Sequence, residues 1–590
     1  MPSASRRRLA MAGFYQLGFH AVPPWGRLAD GRPMFFNAAD VQGCFKAQML
    51  SLFGDGYASA FWHRCAEVLD GYGALGGFTL RSGLVTGSGL IGVLALFAFA
   101  LCVRFDQPPP KVVRGPRLFT GPAGEKAFAK ACDREAKAEG AGVTLLPPSP
   151  LGRERETRHF LILGSVGGGK TQTMLNLILE AINRGDGVLV LDTKGDMMAG
   201  LPSLEEGPLL VAPHDQRSVV WDIAADCTVK QDARELAARF IPPSSDPMWS
   251  EAAQEIFVAC IVYLQATKGR DWGWADLEAE VTADIGRLTE HARDHNPNAL
   301  RLLAQPDSKT TLSILTTFQT HMRIVSVLAE AWSDPGKAGR FSIRGWLHMP
   351  TIRKPLILQQ DPGYPELSRI WIGSMLGLLA SAVGSPTLTE NPQRRVWLFL
   401  DEFPQLPPIR QFPAFLELGR SKGIVVVIGA QDMAQIRALY GTEQAKSWLG
   451  MIGSKIITRI NASDTAEEIS RMIGEQEIER RVRSTTTSQG HSSVTESVQH
   501  ETRRVITASE LGSRLGPTEH GVRVLFLGMR DAVYELELPY IRLPRFREGI
   551  VPADWTRTPP CPPRGGGTPL GSGPILLTSG MADHIRKTRH

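Results

Sequence analysis

Gly164-Ser165-Val166-Gly167-Gly168-Gly169-Lys170-Thr171 decides the fold of this chain, because the apolar run HFLIL (159–163) leads into it and TQTMLNLILEAINR (171–184) follows it at helical period. Strand, glycine-rich turn and helix in that order form a phosphate cradle. Glycines let successive backbone N–H groups curl around phosphate oxygens, and the helix turns its positive N-terminal end toward the anion. Lys170 is placed to reach the β and γ phosphates, and the Thr171 hydroxyl to hold Mg²⁺.

Such a cradle needs an acidic partner on a neighbouring strand. Val396-Trp-Leu-Phe-Leu-Asp401-Glu402 supplies one, since its uniformly apolar run suits a buried parallel strand whose C-terminal end meets the ligand crevice. Asp401 is read as the second Mg²⁺ ligand and Glu402 as the group that orients and deprotonates the attacking water. After GIVVVIGA, Gln431 stands where a neutral side chain can sense the γ phosphate. Arg420, in LGRSKG, stands where a cation can reach a neighbouring subunit's nucleotide in a ring. The stretch Asp192-Thr-Lys194-Gly195-Asp196 reads equally as a plain turn and as part of the site.

Working outward, strand-like runs surround the motif on both sides: GVLVLD and PLLVAP before residue 235, then KPLILQQ, GIVVVIGAQ, SKIITRI and VRVLFLG after 345. Between about 240 and 345 only helical periods appear, as in SEAAQEIFVACIVYLQA. The expected fold is therefore α/β: a parallel-sheet nucleotide-binding domain (158–239 and 346–550) interrupted by an all-α domain (240–345). Residues 482–502 are polar and unpatterned and read as an exposed loop. The Pro/Gly-rich end, 551–590, reads as a disordered tail.

Before all this lies Ser82 to Val103, twenty-two residues without a charge, bounded by Arg81 and Arg104. That length crosses a bilayer as one helix. Arg104, Lys111, Arg114, Arg117, Lys126, Lys130, Arg134 and Lys137 crowd its C-terminal side, against Arg64 and Arg81 on the other. The positive-inside rule then places everything after residue 104 in the cytoplasm. It leaves residues 1–81 as a periplasmic or membrane-associated extension, with 104–157 a basic linker.

The bulk numbers set only broad limits. With 590 residues, 43% hydrophobic and 21% charged, the chain is folded and multidomain, not fibrous or disordered. A net charge of +5 permits a nucleic-acid partner without arguing for one. Seven cysteines without a CxxC pair exclude a zinc framework and read as reduced, packing cysteines.

GSVGGGKT (164–171), NRGDGVLVLDTKGDM (183–197), FSIRGWL (341–347), VWLFLDEFPQLP (396–407), GRSKGIVVVIGAQDMAQI (419–436) and MIGEQEIER (472–480), taken as an ordered set, resemble the TraD/TraG type IV secretion coupling proteins, the TraD branch above all. The resemblance covers about residues 110–550. It implies a RecA-like P-loop NTPase domain with an inserted all-α domain and an N-terminal transmembrane anchor, assembled as a homohexamer in the inner membrane. It also implies an ATP- and Mg²⁺-dependent motor that passes single-stranded DNA with its relaxase from the relaxosome proteins to the type IV secretion channel subunits. The family's lysine and hydroxyl match Lys170 and Thr171, its acidic pair Asp401 and Glu402, its glutamine Gln431 and its arginine finger Arg420. Two departures stand out. One membrane helix is evident where TraD-like proteins usually have two, and Met34-Phe-Phe-Asn-Ala-Ala-Asp is similar to the family's start, which leaves Met1 and Met34 as alternative starts. The rival readings are effector export by the same machine, an FtsK/HerA-like duplex translocase, and a nucleotide-gated docking scaffold. A pure scaffold has no use for the water-activating Glu402.

Overall fold

A computed structural model describes residues 26–27, 33–34, 38–52, 54, 56–105, 111–202, 207–333, 339–349, 354–461, 464–488 and 491–557. Of the expected tail, 551–590, residues 558–590 lie outside the described residues, as do residues 1–25 of the expected N-terminal extension. Residues 551–557 are not a disordered tail but are fastened to the second unit, Val551 N donating to Asp215 Oδ2 (2.7 Å) and Trp555 Nε1 to the Pro213 carbonyl (2.8 Å). The chain forms two compact units that divide after Pro110.

In the first unit, helices Ala38–Ser51 and Gly56–Gly71 pack around Val41, Leu69, Ala74 and Phe78. They are joined by a disulfide between Cys44 and Cys65. This corrects the expectation that the cysteines are all reduced. The pair is separated by 21 residues with no recognisable motif, and only the helix pairing brings the two together. Next comes the helix Leu75–Phe105, which contains all of Ser82 to Val103. Among the described residues, two helices are long and apolar enough to cross a bilayer, and burial separates them. Pro365–Gly384 is 72% buried and belongs to a protein core, whereas Leu75–Phe99 is 6% buried. Leu84, Leu90, Ile91, Leu96, Phe97 and Phe99 stand exposed, a cost in water that a lipid environment removes.

The second unit is built on one twisted sheet of strands β1 (Arg117–Phe119), β2 (Phe160–Leu163), β3 (Gly187–Asp192), β4 (Leu209–Val211), β5 (Leu356–Gln359), β6 (Val396–Leu400), β7 (Ile424–Ala430), β8 (Ser454–Ile457), β9 (Gly521–Met529) and β10 (Ala532–Pro539). Their spatial order is β1-β10-β9-β8-β2-β7-β6-β3-β5-β4. From β8 to β4 all neighbours run parallel, while β9 lies antiparallel to both β8 and β10. Every residue of β2, β3, β5, β6 and β7 is buried, as a parallel sheet covered on both faces requires.

Six helices from Lys230 to Ala331 interrupt the sheet between β4 and β5. Their neck is a two-residue parallel pair, Val220–Trp221 beside Arg340–Phe341. The fully buried Asp226 ties it: its carboxylate accepts from Trp221 Nε1 (2.7 Å), Ser342 Oγ (2.6 Å), Ile343 N and Arg344 N (both 2.9 Å). The outgoing and returning chains are thus fastened at one buried point. Trp274 packs tilted against Trp221, and Trp332 meets it edge to face.

The described residues between 482 and 502 are not a loop. They fall within a long hairpin, Glu475–Ser488 paired antiparallel with His491–Arg504, to which Lys111–Arg114 adds a third strand. Valine and threonine favour the extended form, but with no apolar face there is no alternation for a sequence reading to detect. Residues 111–157 carry helix Gly121–Glu139 and short strands where a linker was expected.

Candidate active site

The glycine-rich loop leaves the C-terminal end of β2 and enters helix α1 (Lys170–Arg184). β7 separates β2 from β6, so the C-terminal ends of the three strands bring their following residues together. Thr171 Oγ1 donates to Asp401 Oδ2 at 2.7 Å, joining the first turn of α1 to the end of β6. Lys170, 6% exposed, donates from Nζ to the Gly164 carbonyl at 2.8 Å and lies 3.7 Å from Glu402 Oε1. Gln431 Nε2 donates to Glu402 Oε2 at 2.8 Å. Five of the expected residues therefore form one chain of polar contacts.

Glu402 itself sits at φ 55°, ψ 37°, the left-handed region that a non-glycine residue enters at a cost of about 1–2 kcal/mol. The turn aims its carboxylate back at Lys170 and Gln431. Burial pushes the Asp401 carboxyl up from its ordinary value and the Glu402 carboxylate adds to that, while the Thr171 hydroxyl pulls it down. A hydroxyl and a carboxylate at this spacing are hard oxygen donors of the type Mg²⁺ takes, and a cation there would reverse the upward push on Asp401.

The loop is braced from its other side by residues that sequence reading gave no role. Ser165 N donates to the Arg459 carbonyl (2.9 Å), Asn461 N to Ser165 Oγ (3.0 Å), and Arg459 Nη2 to the Gly167 carbonyl (3.3 Å). A Cβ on Gly164 would stand 1.7 Å from Thr458 Oγ1, so only glycine fits. Gly169, at φ +100°, would drive a Cβ to 2.4 Å from Val522. The signal for this brace is the strand SKIITRI, but its adjacency to β2 is a topological fact that no local pattern carries.

Asp192 is a turn-former: it accepts from Lys194 N, Gly195 N and Met198 N. Lys194 and Asp196 nonetheless line a cleft of about 560 Å³ that begins at Thr171 and Gln172 and is closed by Arg545 and Glu548. Arg420 stands apart. It precedes the N-terminal end of β7, whereas the phosphate loop follows the C-terminal end of the parallel β2, so the two lie at opposite edges of the sheet. Its side chain is 58% exposed and its ion-pair partner is Glu154, at 3.9 Å.

Comparison with known proteins supplies the family. The profile of the type IV secretion-system coupling protein DNA-binding domain matches residues 144–534. Coupling protein TraD of Escherichia coli (strain K12) is 26% identical over 344 residues, 56% of this chain and 45% of TraD. Conjugal transfer protein TraG of Rhizobium radiobacter is 31% identical over 117 residues, 20% of this chain and 17% of TraG. The chain thus spans less than half the length of these relatives. Among solved structures, the conjugative coupling protein TrwBΔN70 superposes with a TM-score of 0.61 at 23% identity, covering 76% of this chain and 98% of that one. TrwB in complex with ADP and Mg²⁺ superposes with a TM-score of 0.60 at the same identity, covering 76% and 100%. A RecA-like sheet, an inserted helical block, the assembled P-loop cluster and a profile running through all three place this chain in the family of type IV secretion-system coupling proteins defined by that DNA-binding domain.

Proposed function

We propose that this chain is a membrane-anchored ATPase that drives single-stranded DNA, with its attached relaxase, into a type IV secretion channel. The observation that carries the enzymatic half is the contact chain Thr171–Asp401, Lys170–Glu402–Gln431. Lys170 and the loop N–H groups hold the β and γ phosphates. Glu402, steadied by Gln431, takes a proton from the attacking water. Thr171 and Asp401 would hold Mg²⁺, which would supply neutralisation of the phosphate charge. That TrwB, which shares the fold, is solved with ADP and Mg²⁺ supports this assignment.

Arg420 completes the site from a neighbouring copy. Its place at the opposite ends of the strands from its own phosphate loop supports action on a neighbouring subunit's nucleotide in a ring. A homohexamer in the inner membrane, with the second unit cytoplasmic, meets both the anchor and the basic flank after residue 104. Contacts to the moving strand are mainly to phosphates and so sequence-tolerant and salt-sensitive. Plasmid transfer from a donor whose chain carries Lys170→Ala or Glu402→Gln should fall to background with protein levels unchanged. Undiminished transfer would refute the DNA-transfer role.

A further inference from the structure

We propose that Cys44 and Cys65 are an oxidation site: a structural disulfide that is made on the non-cytoplasmic side of the membrane and staples helices Ala38–Ser51 and Gly56–Gly71 into a covalently closed module ahead of the membrane helix. The two sulfurs are bonded across the pair, with Cα atoms 5.7 Å apart, inside the ordinary range for a disulfide. Cys65 is buried, and among the described residues the core beside it is small: Val41, Leu69, Ala74 and Phe78, with Trp62 against Phe78. A core of that size does not hold two helices by itself, which is the circumstance in which small modules use a cross-link.

The distribution of sulfur along the chain points the same way. Both bonded cysteines precede the apolar helix Leu75–Phe105, and among the residues whose side chains are described the free cysteines, Cys132, Cys227 and Cys260, all follow it and are buried. Burial pushes the Cys132 thiol up to about 12 and raises those of Cys227 and Cys260, so these remain protonated and inert. Disulfides persist in an oxidising envelope and are reduced in the cytosol. The cationic residues crowd the other flank of the helix, from Arg104 on, so charge and sulfur independently assign the two sides. In the oxidation, the Cys44 and Cys65 thiols give up two protons and two electrons to a disulfide-bearing oxidant of the envelope, which leaves as a dithiol as the Sγ–Sγ bond forms.

The test uses the full-length chain in intact spheroplasts, treated with a membrane-impermeant maleimide–polyethylene glycol and quenched before denaturation. Without reductant the chain should show no adduct. After a membrane-impermeant phosphine it should carry at least one, and Cys65→Ser, which frees the half-buried Cys44, should carry one with no reductant at all. Adducts on the unreduced parent chain, or adducts on the reduced chain that appear only after detergent lysis, would overturn the proposal. Because a serine variant can fail to fold, the parent chain is also digested without reduction. A peptide pair linked through Cys44 and Cys65, two hydrogens lighter than the separate peptides, is expected, and its absence overturns the assignment independently of labelling.

Discussion

The Thr171 hydroxyl and the Asp401 carboxylate meet at 2.7 Å across 230 residues of chain, and this contact joins the phosphate-binding helix to the acidic strand. Removing the hydroxyl should therefore act through the metal. Thr171→Ala is expected to raise the Mg²⁺ concentration needed for half-maximal turnover by about 10–100-fold, while Thr171→Ser stays close to the parent. A Mg²⁺ titration of ATP turnover checks it, and an unchanged midpoint would remove Thr171 from the metal site.

Gly164 and Thr458 form a steric pair that predicts a rescue. Gly164→Ala places a methyl 1.7 Å from the threonine hydroxyl and should cost at least about tenfold in nucleotide affinity, since the whole loop must shift. With Thr458→Ala added, Thr458 Oγ1, the nearest atom, is gone, and much of the affinity should return. Equal losses in the single and double variants, measured by nucleotide binding, would show that the brace behind the loop is not what excludes a side chain.

His159 gives the second unit a defined acid sensitivity. Its Nδ1 accepts from Val426 N–H and its Nε2 faces the Leu416 carbonyl, so the ring is neutral with the proton on Nε2. Burial, aided by Arg420, lowers its pKa to about 4, against the Leu416 carbonyl, which raises it. The unfolded chain takes up a proton near 6.5 and the folded chain does not, so this contribution is full above pH 6.5 and is lost as pH falls toward 4, by about 3 kcal/mol in all. Thermal unfolding of the full chain in detergent should lose stability across that window, and His159→Leu should flatten the slope. A slope that persists in the variant belongs to another group.

Arg420 predicts complementation between copies. Arg420→Ala and Lys170→Ala should each abolish turnover alone, the first without loss of ATP binding, yet mixed assemblies should recover a fraction because some interfaces pair an intact loop with an intact arginine. Zero activity at every mixing ratio would contradict action across an interface.

How far the sequence reached follows from what kind of information each element needs. The phosphate loop, Asp401-Glu402 and Gln431 are legible because each sits at the end of an apolar run, and parallel-sheet topology then brings strand ends together whatever the intervening length. The helical interruption shows as a change of period. The brace at Thr458–Asn461 and the neck at Asp226 are invisible because they depend on which strands become neighbours. The 475–504 hairpin is missed because its polar faces erase the alternation that marks a half-buried strand. The Cys44–Cys65 link is missed because cysteine spacing says nothing about helix pairing.

ATP turnover by the full chain, with and without single-stranded DNA and beside Lys170→Ala and Glu402→Gln, tests the central claim most directly. The parent chain should hydrolyse ATP and do so several-fold faster with DNA, about what a DNA-engaged motor requires, while both variants stay at background. Parent turnover no higher than that of Lys170→Ala, or turnover indifferent to DNA, would contradict the account of this protein as an ATPase that drives DNA.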